Sequence, residues 1–147
     1  MNPFLPTLLA LALLAAGSAC GADKEANEAR LFLDRYDSLE NPDFAERTAR
    51  VEGFARMRFE SESVASTHEA CSAMHEAAIE AEAKSVEARH ALEALEAADP
   101  SARTAEARDR VEALLSESTA AVERAAEIRP QCEERLADLR TRFATRH

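Results

Sequence analysis

The sequence predicts an all-α protein: a long antiparallel helical hairpin, coiled-coil-like, with a short N-terminal helix folded back to make a three-helix end. Three observations carry this. Apolar residues recur at three- and four-residue steps through most of residues 29–146, the spacing of one helical face. Glycine occurs only at positions 17, 21 and 53, so little interrupts a helix. Asn41-Pro42 and Asp99-Pro100 repeat one punctuation, a good N-cap residue followed by a proline pre-set for a first helical turn.

The chain opens on a segment of a different kind. Residues 1–22 carry no charged side chain, and Phe4 to Ala16 form a Leu/Ala-rich apolar run. A run of about 13 residues is too short to span a bilayer, which takes roughly 20. Gly17-Ser18-Ala19 then lead into Cys20, so residues 1–19 read as a secretory signal peptide. The small residues placed just before Cys20 resemble the lipobox of bacterial lipoproteins. That resemblance implies a diacylglycerol on the Cys20 thiol, cleavage just before it, and acylation of the new N-terminus. Several acyl chains make such attachment stable, where one is marginal. Gly17 stands where that family usually has Leu. Gly17 and Ala19 also suit an ordinary signal peptidase, so secretion without lipid is the alternative. Gly21 lacks the inner-membrane retention residue of enteric bacteria. The implied location is the bacterial cell envelope, lipid-anchored at the outer membrane and facing the periplasm.

Residues 20–28 are small and polar, and read as a lipidated tether. Residues 29–147 form a single elongated helical domain. The first helix, about 29–39, sets Ala29, Phe32, Leu33, Tyr36 and Leu39 on one face. The second, 42–98, is expected as one continuous helix of roughly 85 Å at 1.5 Å per residue. The third spans about 100–146, with a kink or break near Ile128 caused by Pro130.

Both long helices carry heptad-like seams. In the second, Met57, Val64, Cys71, Ala78, Ser85 and Leu92 recur every seven residues, with Met74, Ala81, Ala88 and Leu95 three further on. In the third, Val111, Ser118, Ala125, Cys132 and Leu139 recur, with Leu115, Val122, Leu136 and Phe143 four further on. Seams this long predict helix-on-helix packing. A tight turn at Asp99-Pro100 then sets Cys71 against Cys132, Val64 against Leu139 and Phe59 against Phe143. With the first helix folded back at Asn41-Pro42, every aromatic residue after the signal gathers at one end. A thin two-helix arm points away, its off-seam Ala77, Ile79 and Val86 offered to a partner.

Cys71 and Cys132 match in height on the seam of an exported chain, where thiols oxidise. A structural disulfide is the expectation. The alternative is a metal set: His68, Cys71 and His75 share one helical face, and Cys132 opposite them completes the Cys2His2 donors that zinc prefers. That alternative describes a periplasmic metal-binding or stress-sensing protein.

Composition narrows the rest. The formal charge is −10, which argues against nucleic acid, since binding it needs a basic face. Alanine occurs 33 times, so the apolar fraction overstates the area available for burial. With three glycines there is no Gly-rich phosphate loop. No nucleophile arrangement is visible, and the acidic residues read as solvated helical faces. The expectation is a non-enzymatic, membrane-anchored adaptor, spacer or assembly protein. It takes no cofactor, and it contacts the membrane through its lipid and either a protein partner or a second copy of itself.

Overall fold

The structure is a computed structural model that describes residues 7–143, with side chains from residue 22 onward, 102 excepted. Residues 1–6 and 144–147 fall outside the described residues. So does the Cys20 side chain, and with it the lipidation reading. Four helices follow in order: α1 (Thr7–Asp37), α2 (Phe44–Ala55), α3 (Glu62–Ala97) and α4 (Ala105–Phe143). A 3-10 turn at Pro100–Ala102 joins the last two. The fold is all-helical, and α3 and α4 pack against one another as the hairpin. The C-terminal part of α1 lies against both, and α2 lies against α3. Among the described residues no helix is long and apolar enough to cross a membrane.

The hairpin register is as the Asp99-Pro100 turn requires. Ser118 Oγ donates to the Ala81 carbonyl at 2.8 Å, and Arg135 Nη1 to the Ser66 carbonyl at 2.6 Å. Lys84 pairs with Glu117 at 3.0 Å and Arg124 with Glu80 at 2.6 Å. All four pairs keep the pairing that joins Cys71 to Cys132. The turn is tied off locally. Arg103 donates to the Glu96 and Ala98 carbonyls, taking up acceptors left free where α3 ends. Thr104 Oγ1 accepts the Ala107 N–H at 3.2 Å and starts α4.

The core gathers at one end, as expected. Phe32, Leu139, Val64, Cys71 and Cys132 are fully enclosed, with Phe54, Val51, Leu39 and Leu136 packed beside them. Phe44 is the aromatic left out: it stands half-buried at the start of α2 under the Arg47 guanidinium, 5.7 Å from its ring.

Several expectations are corrected. The single helix 42–98 is two, interrupted at residues 56–61. The interruption lets α2 lean on α3 and swings Phe59 inward, where its ring lies 6.0 Å from Phe32 and 5.2 Å from His68. Those are the ring partners of Phe59 among the described residues; the expected placing of Phe59 against Phe143 assumed a continuous helix. The polar stretch 20–28 is not a loose tether but part of α1. The N-cap of α2 is Asp43, whose carboxylate accepts the Glu46 N–H at 2.8 Å, rather than Asn41. Asn41 instead uses its side-chain oxygen to accept the Asp43 N–H at 2.8 Å, a local turn that delivers the chain to the cap.

Pro130 does not end its helix; α4 runs through it. The ring is exposed, so the carbonyl it leaves unpaired on the preceding turn can be taken by water. The seams also drift. Val64, Cys71, Val111, Ala125, Cys132 and Leu139 are buried, but Leu92, Leu115 and Val122 are 43%, 51% and 55% exposed. Ala81 and Ala88, expected on the seam, are buried there, and Ala77, Leu114 and Ala121 fill the interface beside them. On α3 the interface passes from Val64 and Cys71 to Ala81 and Ala88, because a straight α-helix rotates roughly 20° per heptad away from a strict seven-residue repeat. On α4 the repeat itself stays buried at Val111, Ala125, Cys132 and Leu139, and the companion positions lie three residues on, at Leu114 and Ala121, not four on, at Leu115 and Val122. Ala77, read as exposed, is therefore seam, and Ile79 is packed against the core.

Candidate functional site

The residues singled out for chemistry converge at the four-helix end. Cys71 and Cys132 sit on facing turns of α3 and α4, both wholly buried, and form a disulfide with Cα atoms 4.8 Å apart. That separation lies inside the roughly 4.4–6.8 Å range a disulfide spans without backbone movement. Tyr36 of α1 roofs the bond, its hydroxyl 4.0 Å from Cys132 Sγ.

His68, one turn before Cys71, is buried among rings, with centroids 4.8 Å from Phe54, 5.2 Å from Phe59 and 6.5 Å from Phe32. Its Nε2 lies 2.7 Å from the Phe54 carbonyl and 3.2 Å from Ser72 Oγ. A carbonyl only accepts, so Nε2 carries the proton and donates to it. His68 thus holds the end of α2 onto α3.

His75, one turn past Cys71, is different. Its ring stands 5.4 Å from that of Tyr36, and its Nε2 is buried without a hydrogen-bond partner among the described residues. Burial pushes its pKa below the ordinary histidine value; Glu40 opposes this shift and Arg129 adds to it. Tyr36 is pushed up by the same burial, with the Arg140 guanidinium over its ring acting against it.

The four residues of the metal alternative therefore lie close in the fold without converging as donors. Both sulfurs are committed to one another, and the His68 nitrogen faces a peptide carbonyl. Among the described residues no three His, Cys, Asp or Glu side chains make a metal-binding group.

Two sets of interhelix contacts escaped the sequence reading. Glu28 of α1 accepts the backbone N–H groups of Ser61 at 2.8 Å and Glu60 at 3.1 Å, where α3 begins. Those bonds hold its pKa below the usual carboxylate range. Glu25, a turn earlier, accepts from Ser63 Oγ and pairs with Arg142 at 2.8 Å, and is lowered likewise. The signal was present: Glu25, Glu28 and Phe32 continue the apolar stripe of the first helix at three- and four-residue steps.

The far half of the hairpin carries a second feature. A shallow groove of about 380 Å³ runs between α3 and α4, lined by Ala78, Ser85, Ser118, Val122 and Ala126, with Arg129 at its rim. At helical spacing, the Lys84–Glu117 and Glu80–Arg124 pairs fall on the opposite edge of the seam. Glu82, also on the groove, pairs with Arg47 in the first turn of α2. The face covered by α1 and α2 near the core thus continues past them uncovered, toward Leu115 and Leu92. Set against family models, curated proteins and solved structures, the chain matches none of them.

Proposed function

We propose that this chain is a non-enzymatic, lipid-anchored protein of the bacterial cell envelope, a spacer or adaptor that presents its hairpin arm to a partner helix. The membrane end of the proposal rests on the signal and Cys20. The interaction end rests on one observation: the hairpin face packed under α1 and α2 extends beyond them with Leu92, Leu115 and Val122 exposed. A further helix laid there would bury those side chains just as α2 buries its own apolar face nearer the core. The hydrophobic gain scales with the apolar area removed from water.

Site-specific photocrosslinking in the native host tests this. A crosslinker at Leu115 or Val122 is expected to give one discrete adduct, lost when the other position is changed to Glu. Exposed substitutions of this kind change stability by roughly 0.5 kcal/mol or less, so the folded arm persists. Absence of any arm adduct, with the protein correctly localised, would count against an interaction role.

A further inference from the structure

A second groove, unconnected with the arm, lies between the last turns of α1 and the last turns of α2. Its volume is about 480 Å³, within the roughly 300–1,000 Å³ of small-molecule sites. Leu31, Leu39, Phe54 and Met57 form its apolar lining, and Leu31 is 45% exposed there. Arg35 and Arg50 stand at its edge.

Gly53 also lines this groove, in the last turn of α2. Glycine in a helix loses more backbone freedom on folding than alanine. Nothing in the fold calls for it: its φ is not positive, and a Cβ built on it meets no atom within 4 Å. What its missing side chain leaves is open groove.

The edge is cationic on a chain of net charge −10. Arg35 makes no ion pair among the described residues. Arg50 is held in place, its Nη1 donating to the Ser38 carbonyl at 2.7 Å and its Nη2 to the Glu46 carboxylate. A guanidinium has five N–H donors, so Arg50 keeps some to offer. A guanidinium suits a carboxylate.

We propose that the α1/α2 groove binds a free fatty acid, its acyl chain on Leu31, Leu39, Phe54 and Met57 and its carboxylate between Arg35 and Arg50.

Calorimetric titration of the full exported chain with dodecanoate, kept below its micellar concentration, tests this, with dodecanol and dodecyltrimethylammonium as head-group controls. Saturable one-to-one binding of dodecanoate is expected, at least tenfold tighter than the cationic amphiphile. Gly53→Leu should weaken it at least tenfold by filling the groove. Gly53→Ala should weaken it several-fold while keeping or raising the melting temperature, which decides the matter if Gly53→Leu does not fold. Arg35→Gln should weaken dodecanoate and leave dodecanol unchanged. No saturable binding, equal binding of the cation, or indifference to both Gly53 variants overturns the proposal. So does a wild-type dimer that Gly53→Leu turns into a monomer, which would make the groove a contact between copies.

Discussion

The Glu28 carboxylate of α1 accepts the Ser61 backbone N–H at 2.8 Å, so a residue 33 positions upstream caps the start of α3. Ser61 itself makes no side-chain cap bond. Two backbone N–H groups at the break before α3, those of Glu60 and Ser61, are thus met from another helix.

Glu28→Ala should therefore destabilise the fold by about 1 kcal/mol, the usual worth of an N-cap, while Glu28→Gln keeps an accepting oxygen and loses less. The carboxylate's pKa is lowered in the folded state. Its contribution is then fully present above the ordinary carboxylate range and is lost as pH falls through the lowered value. Urea denaturation at pH 7 and pH 3 should show the variant and the wild type differing at the first and converging at the second.

The Cys71–Cys132 bond closes a loop across a separation of 61 residues. In the chain-entropy account this stabilises by roughly 4 kcal/mol, often less in practice. Cys71→Ala and Cys132→Ala should lose similar stability and the double variant little more, since one bond is the shared cause. Peptide mapping without reductant should recover one crosslinked pair. Intermolecular pairing, or strongly unequal single losses, would break the register on which the hairpin rests.

His75 gives the fold an acid-sensitive point. Its pKa is lowered by burial, so near and below about 6.5 the unfolded chain binds a proton that the folded chain resists. Stability should fall as pH drops through that window. The groups facing His75 are Tyr36 from α1, Glu40 just beyond it and Arg129 from α4. Denaturation midpoints compared at pH 7.5 and 5.0 should separate in the wild type and draw together in His75→Gln. An unchanged separation would remove His75 as the cause.

Cys20 is the last test, and it concerns location. If Cys20 is the acylated N-terminus, Cys20→Ser should appear in the soluble fraction or stall unprocessed. Partition with membranes like that of the wild type would mean that something other than the lipid holds the protein there.

The helical class, the reversals near Asn41-Pro42 and Asp99-Pro100, and the pairing of Cys71 with Cys132 were all determined by the sequence alone. Each follows from local geometry: an apolar period, a proline that cannot continue the preceding helix, and a short turn that aligns two helices. The same local rules could not decide where a helix stops in mid-run. The residues at 56–61 are compatible with helix, and the contacts that favour the interrupted path, Glu28 on the Glu60 and Ser61 amides and Phe59 beside Phe32 and His68, come from elsewhere in the chain. The rules likewise misplaced Leu92, Leu115 and Val122, because which side of a helix is buried depends on its rotation against a neighbour. On α3 that rotation accumulates with length, and on α4 the neighbour selects Leu114 and Ala121 over the residues beside them. His68 and His75 make the point most sharply. They share a helix face seven residues apart, yet one is bonded to a carbonyl from α2 and the other is left with a bare nitrogen under Tyr36 of α1. Both fates come from helices that reach them only when the chain folds back, and no spacing within α3 encodes them.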